Sequence, residues 1–73
     1  MIIIDLEINN LNFDLLSHQK NIFGKKLFIL GYCSHIKTDL MNTAVESGFD
    51  LVIPRSKLAN DLPEIIKNFD KLY

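Results

Sequence analysis

Residues 27–56, LFILGYCSHIKTDLMNTAVESGFDLVIPRS, contain one complete strand, helix, strand unit. Two apolar runs, 27–30 and 51–53, are separated by a polar loop and an amphipathic segment that stops at Gly48, the pattern of a parallel crossover. The first run extends to Tyr32 at most, and Gly31 within it marks a close backbone approach or a bend. Thr38 or Asp39 is placed to cap the helix, whose apolar face is Leu40, Met41, Ala44 and Val45, with Asn42 and Glu46 opposite. Gly48 ends it in the left-handed conformation. Pro54 stops the second run because it has no N–H to give to a ladder.

Upstream, Ile2, Ile3 and Ile4 are consecutive and β-branched, the mark of a strand buried on both faces of a parallel sheet. Asp5 closes that strand, and Asn9, Asn10 and Asn12 supply the turn and cap chemistry that follows. Phe13, Leu15, Leu16, Gln19 and Ile22 have helical spacing, with Asn12 to start the helix and Gly24 to end it. Lys25 and Lys26 then lead directly into the second strand. Downstream, Arg55 and Ser56 open a turn through Ala59. Asp61, Leu62, Pro63 and Glu64 read as a capping box with an early proline, so the spacing predicts a last helix from there. Leu62, Ile65, Ile66, Phe69 and Leu72 are its apolar face, and Lys67 and Lys71 suit its later turns. The order strand, helix, three times over, predicts one α/β domain over residues 1–73 with a right-handed, three-stranded parallel sheet between helical layers.

A domain of 73 residues buries only about 60% of its unfolded surface and is marginal alone. The apolar first strand lies at an outer position of so small a sheet, and such an edge calls for pairing. Ile2, Ile3 and Ile4 are therefore the expected interface, with a second copy or another protein as partner. Eight basic against nine acidic residues, net charge −1, provide no field for nucleic acid or an anionic membrane. No apolar run approaches the roughly 20 residues that span a bilayer. The single cysteine, Cys33, forms no internal disulfide and no zinc site with His18 and His35, which favours a reducing compartment, by default the cytoplasm. Without a glycine-rich phosphate loop, a dinucleotide fingerprint or paired metal ligands, no cofactor is expected.

Asp5 after the first strand, Gly31-Tyr32-Cys33-Ser34-His35 after the second, a helix ending at Gly48, and Asp50-Leu-Val-Ile-Pro54-Arg55-Ser56 together resemble bacterial response-regulator receiver domains. The likeness covers nearly the whole chain but only the last three of five strand–helix units of a flavodoxin-like fold. It is nearest to receiver-like proteins with G-F-x-S-H and P-R-S where ordinary receivers have a Thr or Ser and a Lys-Pro. The resemblance places Asp5 on the phosphoacceptor, Cys33 or Ser34 on the switch hydroxyl, and Arg55 on the lysine. The acids that hold Mg²⁺ for phosphoryl transfer belong to the other half of a receiver.

Each of these residues also has a simpler reading. Asp5 is a strand-end carboxylate and Arg55 its ion-pair partner, at the edge where open α/β sheets meet ligands. Cys33 is a small buried hydrophobe rather than a reactive thiol. Ser34 and His35 are sequence neighbours with no third orienting group, which does not make a nucleophile and base. Tyr32, Phe28 and Phe49 read as core or interface. The expectation is a non-catalytic, truncated flavodoxin-like (βα)3 regulatory module, extended by dimerisation through its first strand, with a vestigial rim at Asp5, Cys33, Ser34 and Arg55. The alternative is a phosphoryl-accepting regulator using Asp5, with Mg²⁺ held by acids of a partner chain.

Overall fold

A computed structural model describes residues 1–8 and 11–72, with side chains as far as Phe69. Asn9 and Asn10, expected in the first turn, and the side chains of Lys71 and Leu72 lie outside the described residues. Strand β1 (Ile2–Asp5) is followed by helix α1 (Phe13–Phe23), a short 3₁₀ turn (Gly24–Lys26), strand β2 (Ile29–Cys33), helix α2 (Thr38–Glu46), strand β3 (Leu51–Pro54) and helix α3 (Arg55–Leu72). The strands form one parallel sheet in the order β1-β2-β3. This consecutive order is that of the last three strands of the flavodoxin-like sheet.

Side chains along β2 alternate between two helical layers. Ile29 and Cys33 join Leu6, Ala44 and Phe49 in the core under α1 and α2, where Phe13, Leu16, Leu40 and Met41 pack on them. Phe28, two residues before Leu30 on the opposite face, meets Phe69 of α3 edge to face, with ring centroids 5.5 Å apart. The result is three layers: α1 and α2, the sheet, then α3.

The register Ile4↔Gly31↔Val52 runs across the centre of the α1/α2 face. Gly31 is there because the Phe49 ring, with Cδ2 and Cε2, reaches into the space a Cβ would fill. At the lower end of the sheet, Lys20 Nζ donates to Gly24 O (3.1 Å), Leu27 O (2.6 Å) and the Asp50 carboxylate (2.7 and 2.8 Å). Asp50 Oδ2 also accepts the Ile29 N–H at 2.8 Å. This knot joins α1, the entry to β2 and the entry to β3.

Several boundaries differ from those expected. Residues 27 and 28 precede β2 rather than belonging to it, and β2 continues to Cys33. Lys25 and Lys26 lie in the 3₁₀ turn, since the chain must reverse after Gly24 (φ +57°) before it can enter the sheet. The N-cap of α2 is Lys37, which makes no side-chain capping bond, and Val45 faces solvent because two turns bury only Leu40, Met41 and Ala44. Helix α3 begins at Arg55, six residues before the expected Asp61, and Pro63 lies inside it. The Leu58, Leu62, Ile65, Phe69 stripe holds the first turns against β2 and β3, which outweighs the one backbone hydrogen bond that Pro63 removes. Asn12 does cap α1, accepting the Leu15 N–H at 2.9 Å, and Gly48 does take a left-handed φ of +100°.

Strand β1 is not buried on both faces. Ile2 and Ile3 are 41% and 43% exposed; on the Ile3 side this is because α3 lies over β2 and β3 and leaves the outer strand bare. Its backbone is equally open. Ile2 N–H donates to Phe28 O (2.8 Å) and Leu6 N–H to Tyr32 O (2.9 Å). Parallel strands turn alternate residues to the same neighbour, so the Ile3 N–H and C=O and the Asp5 N–H point away from the sheet.

Candidate functional site

The carboxyl ends of the three strands carry the polar residues that the sequence singles out. Tyr32 pairs with Asp5 on one side and Ile53 on the other, so these three side chains share the α3 face of the sheet. Because α3 starts directly after Pro54, its first residue, Arg55, is held over that row with its guanidinium 5.6 Å from the centre of the Tyr32 ring. The same Nη2 donates to Glu7 Oε2 at 2.6 Å and to the Asp5 oxygens at 3.2 and 3.4 Å. Asp5 Oδ1 also accepts the Glu7 N–H at 3.0 Å, an Asx turn that carries the chain off the end of β1.

Two carboxylates thus share one guanidinium. Desolvation works against the charged form of Arg55, but Glu7 and then Asp5 outweigh it and raise its pKa above the ordinary arginine value. An Asp5 oxygen that already accepts an N–H and a guanidinium N–H has its lone pairs engaged, which lowers its nucleophilicity. Glu7 is the residue that sequence reasoning passes over. Its signal is the Asp-x-Glu spacing, which returns a second carboxylate to the same side once the chain turns.

Cys33 is placed differently from Asp5. It is fully buried on the α1/α2 side of the sheet, and its Sγ donates to Lys37 O at 3.8 Å. Burial first, then the Glu7 carboxylate, raise its thiol pKa, with Asp5 adding to this and Arg55 and Lys37 opposing it. A buried thiol with a raised pKa is the inert kind. Ser34 closes the loop after β2, its carbonyl accepting the Lys37 N–H at 2.9 Å, and His35 is exposed beyond it. The structure therefore brings Asp5 and Arg55 together with Glu7 and Tyr32, and sets Cys33 beneath them on the other face.

No family model, curated protein or solved structure matches this chain. The site must be read from its own chemistry. Among the described residues, no three His, Cys, Asp or Glu side chains are grouped to hold a metal ion. An open depression of about 450 Å³ lies at the start of α2 between Ile36, Lys37, Asp39 and Thr43. Thr43 Oγ1 there is occupied by Asp39 O at 2.9 Å. No helix among the described residues is long and apolar enough to cross a membrane.

Proposed function

We propose that this chain is a non-catalytic, receiver-like protein-interaction module that associates with itself through β1. The observation that carries this reading is the bare outer strand: an apolar, β-branched edge with outward backbone groups on a sheet of only three strands. Such edges are templates for another strand unless charge, proline or a covering element blocks them, and among the described residues none of these guards Ile2, Ile3 or Ile4. Two-fold pairing of β1 with its mate gives one continuous six-stranded sheet and is self-complementary. The ion-paired rim at Asp5 supports the non-catalytic part of this reading, since its carboxylate already has a cation.

Sedimentation at low micromolar concentration is the test. The protein is expected to run with the mass of two chains, and Ile3→Lys, which places a charge on the edge without touching the β1–β2 ladder, to run with the mass of one. A wild-type monomer across the micromolar range would sink the proposal.

A second reading has one observation in its favour: Asp5 stands at the carboxyl end of its strand with about a third of its side chain exposed. In that reading Asp5 accepts a phosphoryl group, with Mg²⁺ held by acids of a partner chain. Incubation with acetyl phosphate and Mg²⁺ would then add a phosphoryl mass that Asp5→Asn abolishes. The engaged carboxylate leads us to expect no adduct on the isolated chain.

A further inference from the structure

Helix α1 carries two apolar stripes, and the fold uses one. Phe13 and Leu16 point inward and pack on the core, and Lys20 continues that side toward Asp50. Leu15, Ile22 and Phe23 stand at i, i+7 and i+8, with Gln19 at i+4, which is the spacing of a single stripe along another side. They are 54%, 60% and 50% exposed. Asp14, His18 and Asn21, also exposed, occupy the opposite flank. The charged groups of α1 thus lie inward or on that flank, and the Leu15 side has none.

Crossovers between parallel strands are right-handed. Such a β1–α1–β2 connection sets α1 over β1 and β2, with α2 on its far side over β2 and β3. At 3.6 residues per right-handed turn, the Asp14 and Asn21 flank then faces α2 and the Leu15 stripe faces the β1 edge. Ile2 alternates with Ile4 and Leu6, which pack in the α1/α2 core, so it lies on the same face of the sheet as this stripe. Stripe and edge form one surface.

We propose that Leu15, Ile22 and Phe23 pack against the same stripe of a second copy, making α1 the helical layer of the β1-edge dimer. This rests on the edge reading above and adds the occupant of the stripe. Spacing and area argue for that occupant. Strands lie about 4.8 Å apart, and a helix over β1 and β2 sits half a spacing inside β1, so two-fold pairing puts the two α1 axes about 10 Å apart. That is the separation of directly packed helices, with no room for another element between them. A standard interface buries roughly 800 Å² per partner, of which about 450 Å² is nonpolar. At about 25 cal/mol/Å² a large aliphatic side chain represents roughly 60–120 Å², so Met1, Ile2 and Ile3, 38%, 41% and 43% exposed, supply on the order of 100 Å². The strand edge alone falls short by a factor of about four. Leu15, Ile22 and Phe23 roughly double its nonpolar area.

Equilibrium sedimentation of the full chain, Leu15→Glu/Ile22→Glu and Ile3→Lys, each checked by circular dichroism, tests the proposal. The helix variant is expected to raise the dimer dissociation constant at least ten-fold with an unchanged spectrum, because both positions already face water in one chain. Ile22→Lys alone should shift it in the same direction and serves if the double variant loses helix. A helix variant that dimerises like wild type while Ile3→Lys dissociates would overturn the stripe proposal and leave the edge reading standing. A wild-type monomer would overturn both, and an assembly larger than two chains would overturn the two-fold packing of α1.

Discussion

Gly31→Ala is expected to lower the thermal midpoint by about 10 °C. The added Cβ would lie 2.8 and 2.9 Å from Phe49 Cδ2 and Cε2 and 3.0 Å from Leu6 Cδ2. Real carbon contacts are longer, so the ring or the strand must shift. Neither moves easily: Phe49 is buried, with the ring of Phe13 6.0 Å away, and Gly31 is laddered on both sides. Overpacking of this kind costs about 1–3 kcal/mol, and each kcal/mol moves the midpoint of a domain this size by roughly 4–8 °C. Phe49→Leu in the Gly31→Ala background should recover part of the loss, as expected of residues that share one space. Thermal melts followed by circular dichroism decide the matter, and a midpoint within 2 °C of wild type would show that the Phe49 ring yields freely.

Asp50→Ala is the second large effect, expected at about 2 kcal/mol in urea unfolding. The Lys20 and Asp50 side chains are only 18% and 19% exposed. Removing the carboxylate leaves the Ile29 N–H without its acceptor at the point where β2 enters the sheet. An uncompensated buried donor costs about 1–3 kcal/mol. Lys20 retains the Gly24 and Leu27 carbonyls, which keeps the loss below that of a fully buried pair cut in half. Asp50→Asn keeps an oxygen for Ile29 and removes the charge, so it should cost about half as much. Equal losses for Ala and Asn would mean that the charge, not the Ile29 bond, carries the energy.

The sheet was legible because its signals are local: β-branched runs, a glycine where a ring approaches, and Gly48 closing α2. The start of α3 was not. Asp61, Leu62, Pro63 and Glu64 present a strong local cap, and the residues before them carry none; only the stripe through Leu58 reveals a helix that begins earlier and passes through the proline. The Asp5–Arg55 ion pair was foreseeable from the topology, since both residues lie at strand ends on one rim. Glu7 required the path of the turn after β1, which three scattered asparagines leave undetermined. The Lys20 knot was invisible for a similar reason. It joins positions 30 residues apart that no periodicity relates.

The direct passage from Pro54 into α3 also bears on the order in which the chain assembles. β1 meets β2 with partners such as Ile2 and Ile29, and β2 meets β3 with partners such as Leu30 and Leu51. Closing these two loops differs by only about 0.2 kcal/mol of chain entropy, so neither strand–helix–strand half has a head start and β2 is common to both. Arg55 meets Asp5 across 50 positions only after both halves have joined. The ion pair at the rim is thus a late latch: its loss should hasten unfolding and leave the rate of folding nearly unchanged.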